Sequence, residues 1–343
     1  SMSSTAGAPA PWTTQPGRWC VTKKAAFGDT GHQLQQRPSR LKKPRENTSM
    51  QLGYIGTGTM GNPMAKALIE AGHSVTVYDV RRESATNLCE MGANWADSPR
   101  ELSEASEVVF TSLPGPVEAE KVLTDPDNGI LAGIKTGGTW VDTTTNSPTT
   151  IHKLADICQQ RGIEMLDSPV SGRIPNMTMM VGGDPALFEK HRAVLETMGK
   201  DVIYVGGTAS GCTAKLVTQY LGYSNFIAGI EGMLIGAKAG LDMDILAKLI
   251  PISASASGVM ARSMDVVLDG TFASNGTLDI VAKDLHLACQ LARDVQAPSR
   301  IGDIVDDVLQ RAQAQGLGQE GYPIVARVLE QMANAEVRST QKK

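Results

Sequence analysis

One stretch, residues 51–79, constrains the fold of this chain more than any other. A short apolar run over 52–55 predicts a strand that leads into Gly56-x-Gly58-x-x-Gly61; a helical pattern follows, and a second predicted strand over 74–78 ends on Asp79. The glycines permit a tight turn, close approach of a pyrophosphate and close packing of the helix on the strand, and the helix N-terminus favours anions. This order predicts a dinucleotide site in which Asp79 binds the adenosine ribose. The predicted cofactor residues in this unit are Gly56, Gly58, Thr59, Met60, Gly61 and Asp79.

Length and composition limit the class of protein. The 343 residues are enough for two domains, and no run approaches the roughly 18–20 apolar residues of a membrane helix. A net charge of −4 indicates neither nucleic acid nor a membrane as a partner. The five cysteines are scattered without a C-x-x-C pair, and the five histidines lack metal-ligand spacing. We therefore expect free thiols in a reducing compartment, the cytoplasm, and no metal.

Residues 1–49 differ from the rest of the chain. They lack a sustained apolar period, contain several prolines and carry eight Lys or Arg against two acidic residues. This composition favours a disordered leader or tag, with Met50 as a candidate natural start. A basic leader poor in acids could instead be a transit peptide, which would place the protein in mitochondria, although its prolines disfavour an amphipathic leader helix.

Two regions follow the leader. Over 50–208, predicted strands and helices alternate, which indicates an α/β Rossmann domain: a doubly wound, mainly parallel sheet covered on both faces. Over 209–335, helical periodicity dominates and predicts a C-terminal all-α domain for substrate binding and oligomerisation, with 336–343 as a tail. A long, glycine-rich helix over 209–240 would link the two domains, and we expect a homodimer or homotetramer.

Turns after three later strands are further candidates, because ligands bind beyond the carboxyl ends of strands in open α/β sheets. Leu113-Pro114 and Thr145 could line the cofactor, Thr145 on the nicotinamide side; alone, the first could be an ordinary proline turn. The third turn contains Ser171, Gly172 and Arg173, where a hydroxyl, backbone N–H groups and a guanidinium can bind a carboxylate. Arg173 could equally be a solvent-facing loop residue.

The start of the long helix contains a candidate catalytic pair. Lys215 and Gln219 are four residues apart and share one helical face. A buried lysine has a lowered pKa and can act as a general acid or base near neutral pH. The alternative is a lysine whose amine reaches the surface along an apolar stem.

Taken in order, these segments resemble the β-hydroxyacid dehydrogenases, the family of the 3-hydroxyisobutyrate dehydrogenases, over about residues 51–335. The family turn G-x-G-x-M-G-x-x-M-A corresponds to 56–65, its Leu-Pro turn to 113–114 and its D-x-S-T-x-x-P turn to 142–148. The substrate motif D-A-P-V-S-G corresponds to 167–172, the catalytic helix G-x-x-x-K-x-x-N-N to 211–219, and K-D-L to 283–285.

The resemblance implies an NAD(P)-dependent enzyme that transfers hydride between a small hydroxy acid and nicotinamide. It implies that Lys215 exchanges the proton of the substrate hydroxyl, with Gln219 beside it. It also implies that Ser171 and Gly172 hold the substrate carboxylate, and that the helical domain contributes Lys283 over the cofactor and Asp284 in the substrate site.

The chain departs from the family pattern near the substrate. Thr218 and Gln219 replace the paired asparagines, the loop after Gly172 is shorter and contains Arg173, and Gly276 stands where an aromatic residue is usual. These changes leave the cofactor motif and the lysine intact. They therefore put the substrate in question more than the chemistry.

Three functions stay open at this point. An NAD-dependent dehydrogenase of a small 3-hydroxy acid leads, because Asp79 suits a free ribose 2′-hydroxyl and repels a 2′-phosphate. An NADPH-dependent reductase of tartronate, glyoxylate or succinic semialdehyde is the alternative, because Arg81 and Arg82 follow Asp79. The third is a non-catalytic dinucleotide-binding scaffold, against which stands the presence of Lys215. A histidine–aspartate mechanism is disfavoured, because no histidine falls in a motif.

Overall fold

The structure, a computed structural model, describes residues 49–341. The described strands are β1 (Gln51–Ile55), β2 (Ser74–Tyr78), β3 (Asn94–Trp95), β4 (Val108–Thr111), β5 (Thr139–Asp142), β6 (Glu164–Asp167), β7 (Val170–Ser171), β8 (Thr178–Gly183) and β9 (Asp201–Gly206). The described α-helices are α1 (Gly61–Glu70), α2 (Thr86–Glu90), α3 (Pro99–Glu104), α4 (Pro116–Thr124), α5 (Ile130–Gly133), α6 (Pro148–Gln160), α7 (Pro185–Met198), α8 (Ser210–Lys238), α9 (Met243–Leu249), α10 (Gly258–Leu268), α11 (Leu278–Asp294), α12 (Arg300–Ala314) and α13 (Ala326–Ala333). Short 3-10 turns occur at Arg82–Ala85, Ile250–Ile252 and Tyr322–Val325.

The strands form one sheet in the order β3-β2-β1-β4-β5-β6-β8-β7, with β9 paired to β8 on the other side. All pairs from β3 to β6 are parallel, whereas β8 runs antiparallel to both β6 and β7. The order reverses between β1 and β4, and a doubly wound sheet binds its dinucleotide at such a switch point. The predicted Rossmann fold is therefore confirmed.

Apolar clusters cover both faces of the sheet. The central strand β4 is buried along its whole length, because helices cover both faces of a parallel sheet. The rings of Tyr54 and Phe110 stack with centroids 5.9 Å apart on one face. Trp140 is buried on the other face, and its indole N–H donates to Thr111 Oγ1 at 2.9 Å. Burial of such side chains stabilises the fold by about 1.5–3 kcal/mol each.

The long helix α8 begins the helical region and packs against α10, α11, α12 and α13. Its inward residues, among them Phe226, Ile230 and Met233, form the centre of a third apolar cluster. The helical C-terminal region predicted from the sequence is thus confirmed. The limits 50–208 and 209–335 stay a prediction, and the leader predicted over 1–49 lies, except for Ser49, outside the described residues.

Candidate active site

The glycine turn after β1 has the geometry of a phosphate cradle. Gly56 has φ +90°, and its N–H donates to Tyr78 O at 2.9 Å. A Cβ on Gly61 would lie 1.8 Å from Gly56 O, so only glycine lets α1 begin this close to the turn. A Cβ on Gly58 would meet nothing within 4 Å, which leaves open space in front of the first N–H groups of α1. The turn therefore fits a pyrophosphate.

A cleft of about 880 Å³ extends from this turn across the switch point of the sheet. Its walls include the strand-end residues Leu113 and Pro114, and α11 contributes Ile280. Every predicted cofactor residue lines this cleft except Thr145 and Lys283. The lining residues that the sequence predicted are Gly56, Gly58, Thr59, Met60, Gly61, Asp79, Leu113 and Pro114.

Asp79 lies at the end of β2, on the wall of the cleft. Its carboxylate accepts hydrogen bonds from Thr57 N at 2.8 Å and from Arg81 N at 2.9 Å. These bonds fix the carboxylate beside the glycine turn and leave lone pairs for a ligand hydroxyl. Arg81 also lines the cleft, whereas the Arg82 guanidinium lies over the Trp95 ring, 5.2 Å from its centroid.

Asp167 fixes the start of α8. Its carboxylate accepts from Ala209 N at 2.8 Å and from Cys212 N at 2.7 Å, and these are otherwise unpaired groups of the first helical turn. Gly211 packs directly on this carboxylate, since a Cβ there would lie 2.8 Å from its Oδ2. Lys215 follows one turn later, so the carboxylate at the end of β6 determines where the lysine stands.

Lys215 is buried, with 7% of its surface exposed. Desolvation lowers the pKa of its amine; the Asp284 carboxylate opposes this shift, and the neighbouring Lys283 ammonium adds to it. Within residues 49–341 the amine donates no hydrogen bond that would occupy it. These conditions are what a general base needs, because they increase the fraction of neutral amine near neutral pH.

Gln219 lies one turn beyond Lys215 and connects α8 to α11. Its Nε2 donates to Asp284 Oδ2 at 2.9 Å and also to the hydroxyl of Tyr223. Both amide hydrogens are therefore engaged, and the Oε1 acceptor is the part of the amide left for a substrate hydroxyl or the Lys215 ammonium.

Lys283 and Asp284 lie on the face of α11 that carries Ile280. Lys283 Nζ donates to Thr145 O at 3.1 Å, which brings the two remaining predicted cofactor residues together. The same Nζ lies 2.9 Å from Asp284 Oδ1, although its direction does not satisfy a hydrogen bond and Oδ1 is left without a donor. We regard this contact as an ion pair. It holds the buried Asp284 side chain between Lys283 and Lys215.

The predicted substrate turn follows β7. Ser171 ends this strand, and Gly172 has φ +80° with its missing Cβ facing Asn176 O, so the turn requires glycine. Arg173 is exposed and lies against Asn275, in the segment before α11. The predicted substrate residues are thus divided between one turn of the sheet and α11, which carries Asp284.

Two residues around the site escaped sequence reasoning. Tyr223 stands four residues after Gln219, and the i, i+4 rule that linked Lys215 to Gln219 would have found it. Asn275 directly precedes Gly276. The glycine in place of the usual aromatic residue was the only feature of the sequence that pointed to this segment. Ser147 caps α6, because its Oγ accepts from Thr150 N at 3.0 Å.

Comparison with known proteins agrees with this geometry. Residues 51–206 match the model described as "NAD binding domain of 6-phosphogluconate dehydrogenase", and residues 209–329 match "NAD-binding of NADP-dependent 3-hydroxyisobutyrate dehydrogenase". The 2-(hydroxymethyl)glutarate dehydrogenase of Eubacterium barkeri is 32% identical over 299 residues, which cover 85% of this chain and 99% of that protein. The chain belongs to the β-hydroxyacid dehydrogenase family.

Two further relatives of this β-hydroxyacid dehydrogenase extend the comparison. The mitochondrial 3-hydroxyisobutyrate dehydrogenase of Mus musculus is 32% identical over 291 residues, covering 81% of this chain and 86% of that protein. The crystal structure of 3-hydroxyisobutyrate dehydrogenase from Salmonella typhimurium superposes with a TM-score of 0.73 at 26% identity, covering 81% of this chain and 99% of the other.

Membership of the family confirms the expected enzyme class and the expected type of cofactor. The chain is an NAD(P)-dependent dehydrogenase of the CH–OH class, and the expectation of NAD as cofactor, with NADP also compatible, is confirmed.

Within residues 49–341, no helix has the length and apolar character to cross a membrane, and no cluster of three or more potential ligands is placed to hold a metal ion. The oligomeric state, the cellular compartment and the role of each site residue stay predictions.

Proposed function

We propose that this dehydrogenase uses NAD to oxidise a small 3-hydroxy acid, with Lys215 as the acid–base group. The observation that carries the proposal is the buried amine of Lys215, set beside Asp284 and Gln219. The resemblance to dehydrogenases named for 2-(hydroxymethyl)glutarate and 3-hydroxyisobutyrate supports a 3-hydroxy acid as substrate class.

The cleft would hold the dinucleotide with its phosphates on the N–H groups of 56–61 and its ribose at Asp79. Leu113 and Pro114 would line the middle of the cofactor, and Thr145 and Lys283 would lie towards its nicotinamide end. When bound, the nicotinamide supplies a hydride acceptor for the carbinol carbon. The protein contributes position, exclusion of water and proton transfer.

Proton transfer would be carried by Lys215 and oriented by its neighbours. The neutral amine takes the proton of the substrate hydroxyl, and the resulting ammonium is stabilised by Asp284. Gln219 Oε1 accepts a hydrogen bond from the hydroxyl or from the ammonium and so aligns the two. Ser171 and Gly172 would bind the substrate carboxylate through a hydroxyl and backbone N–H groups.

Cofactor preference follows from the end of β2. Asp79 is fixed beside the turn and disfavours a 2′-phosphate through charge repulsion. Arg81 lines the cleft and favours the alternative, an NADPH-dependent reductase of a short semialdehyde. Arg82 is engaged with Trp95, so NAD is the proposed cofactor.

A substrate panel tests the proposal. Small 3-hydroxy acids, 2-hydroxy acids and uncharged primary alcohols of equal size are incubated with NAD or NADP, and formation of reduced cofactor is followed by absorbance. We expect turnover of 3-hydroxy acids with NAD above NADP. Turnover confined to 2-hydroxy acids or alcohols, or to semialdehydes with NADPH, would contradict the proposal.

A further inference from the structure

The predicted substrate turn is joined to the helical region by one side-chain contact. With the Asn275 amide turned so that its oxygen faces Arg173, this oxygen accepts hydrogen bonds from both Nη atoms of the guanidinium, at 2.5 and 3.1 Å. Arg173 lies between β7 and β8, and Asn275 lies between α10 and α11. The contact therefore orients the exposed arginine of the predicted substrate turn.

The Arg173 charge is not compensated. Among residues 49–341, no carboxylate lies within ion-pair distance of this guanidinium, whereas Arg338 binds Glu330 at 2.6 Å and Arg192 binds Glu189 at 2.5 Å. The Asn275 oxygen is neutral, so it orients the guanidinium without neutralising it. It uses one N–H on each Nη and leaves the remaining N–H groups free for a bidentate carboxylate.

A continuous series of contacts leads from Asn275 to the proposed catalytic group. The next residue, Gly276, accepts a backbone hydrogen bond from Tyr322 N at 2.9 Å. The Tyr322 ring lies 6.2 Å from the ring of Tyr223, whose hydroxyl accepts from Gln219. Arg173 is thus connected, through the segment of Asn275 and the two tyrosines, to Gln219, which lies one turn from Lys215.

Space is available beside Gly276, next to Asn275. A Cβ on Gly276 would meet only Ser274 Oγ, at 3.9 Å, so the position where family members usually carry an aromatic ring is open. The missing ring would admit a substrate longer than a methyl-substituted acid. A free cation stands next to that space.

We propose that the substrate is a 3-hydroxy acid with a second anionic group, such as a dicarboxylate, and that Arg173, oriented by Asn275, binds this second group. This inference rests on the proposed function and adds the class of acid. Ser171 and Gly172 would hold the carboxylate next to the reacting centre, and Arg173 would hold the distant one. A charge-assisted hydrogen bond contributes about 1.5–3 kcal/mol, which corresponds to about 10- to 150-fold in kcat/KM.

Two matched substrates test this inference. 2-(Hydroxymethyl)glutarate contains the distant carboxylate, and 2-(hydroxymethyl)pentanoate replaces it with a methyl group. We expect the wild type to prefer the dicarboxylate by at least about tenfold in kcat/KM. Arg173→Gln should remove this preference by raising KM for the dicarboxylate, with kcat and the constants for the pentanoate nearly unchanged. Asn275→Ala should reduce the preference in part, because the guanidinium keeps its charge and loses its orientation.

Arg161, which is exposed at the end of α6, provides the control. Arg161→Gln should leave kcat/KM unchanged for both substrates. Equal kcat/KM for the two substrates in the wild type, or equal losses for both in Arg173→Gln, would overturn the inference while leaving the proposed function intact. Failure of both substrates and of every other 3-hydroxy acid would instead overturn the proposed function.

Discussion

Replacement of Lys215 by methionine tests the proposed proton carrier while the packing of α8 is kept. Lys215 is only 7% exposed, and a methionine side chain fills much of the same space, so water is excluded from the position of the amine. General acid–base groups contribute about 10²- to 10⁴-fold, equivalent to about 2.7–5.4 kcal/mol. We expect Lys215→Met to lower turnover by a factor near the upper end of this range. Lys215→Ala should lie nearer the lower end, because its cavity admits a water molecule as a substitute proton acceptor.

Lys215→Met should also change how the free energy of unfolding depends on pH. Desolvation lowers the pKa of Lys215 in the folded protein below its ordinary value of 10.5. The unfolded chain therefore binds more protons between the lowered pKa and 10.5, so this group makes the free energy of unfolding rise with pH across that window. Lys215→Met lacks the group, and we expect its contribution to the slope to disappear in denaturant titrations at several pH values.

Turnover is measured from cofactor reduction with saturating hydroxy acid, and dinucleotide affinity from quenching of protein fluorescence. Lys238, exposed in the last turn of the same helix, provides the matched control, and Lys238→Met should retain full activity. Dinucleotide affinity should be nearly unchanged in both variants, since the phosphates are assigned to 56–61. If Lys215→Met kept more than about a tenth of wild-type turnover, Lys215 would not be the proton carrier.

Three further predictions concern the cleft and its electrostatics. Asp79→Asn should narrow the ratio of kcat/KM for NAD over NADP, because it removes the charge that repels a 2′-phosphate; an unchanged ratio would show that Asp79 does not select the cofactor. Gly61→Ala should lower the free energy of unfolding by about 1–3 kcal/mol, as its Cβ would lie 1.8 Å from a backbone oxygen, whereas Gly58→Ala should keep stability and weaken only dinucleotide binding. Equal melting temperatures for the two glycine variants would refute this distinction. Asp284→Asn should move the alkaline rise of the oxidation rate to lower pH, because loss of the carboxylate further lowers the pKa of Lys215; a pH–rate profile that moved to higher pH would refute it.

Most of the sheet could be predicted from the sequence because its long strands are bounded by glycine and proline signals. The strands predicted over 52–55 and 74–78 occur with ends that differ by at most one residue. The two-residue strands β3 and β7 were not predicted, because so short a run has no periodicity to detect. The antiparallel placement of β8 depends on tertiary pairing with β6, which the local pattern does not contain.

The candidate site could be predicted where the chemistry is local and not where it depends on distant partners. The glycine turn and Asp79 lie in one βαβ unit, so their spacing alone indicates the cleft. The contact of Arg173 with Asn275 joins residues about a hundred positions apart, and the role of Asp167 at the start of α8 joins residues more than forty apart. Neither contact can be predicted from the spacing of residues along the chain, because side-chain contacts of this kind form only when the two regions pack together.

The attachment of α8 to the sheet has a consequence for recombination between relatives. The Asp167 carboxylate, at the end of β6 in the sheet, fixes the start of α8 and so the position of Lys215. The neighbours of Lys215, Asp284 and Lys283, come from α11. A hybrid enzyme joined at residue 208 would therefore combine an anchor from one parent with a catalytic helix from the other. A junction placed after Gln219 keeps Asp167 and Lys215 from a single parent, and the exchanged part then includes α11 with Lys283 and Asp284.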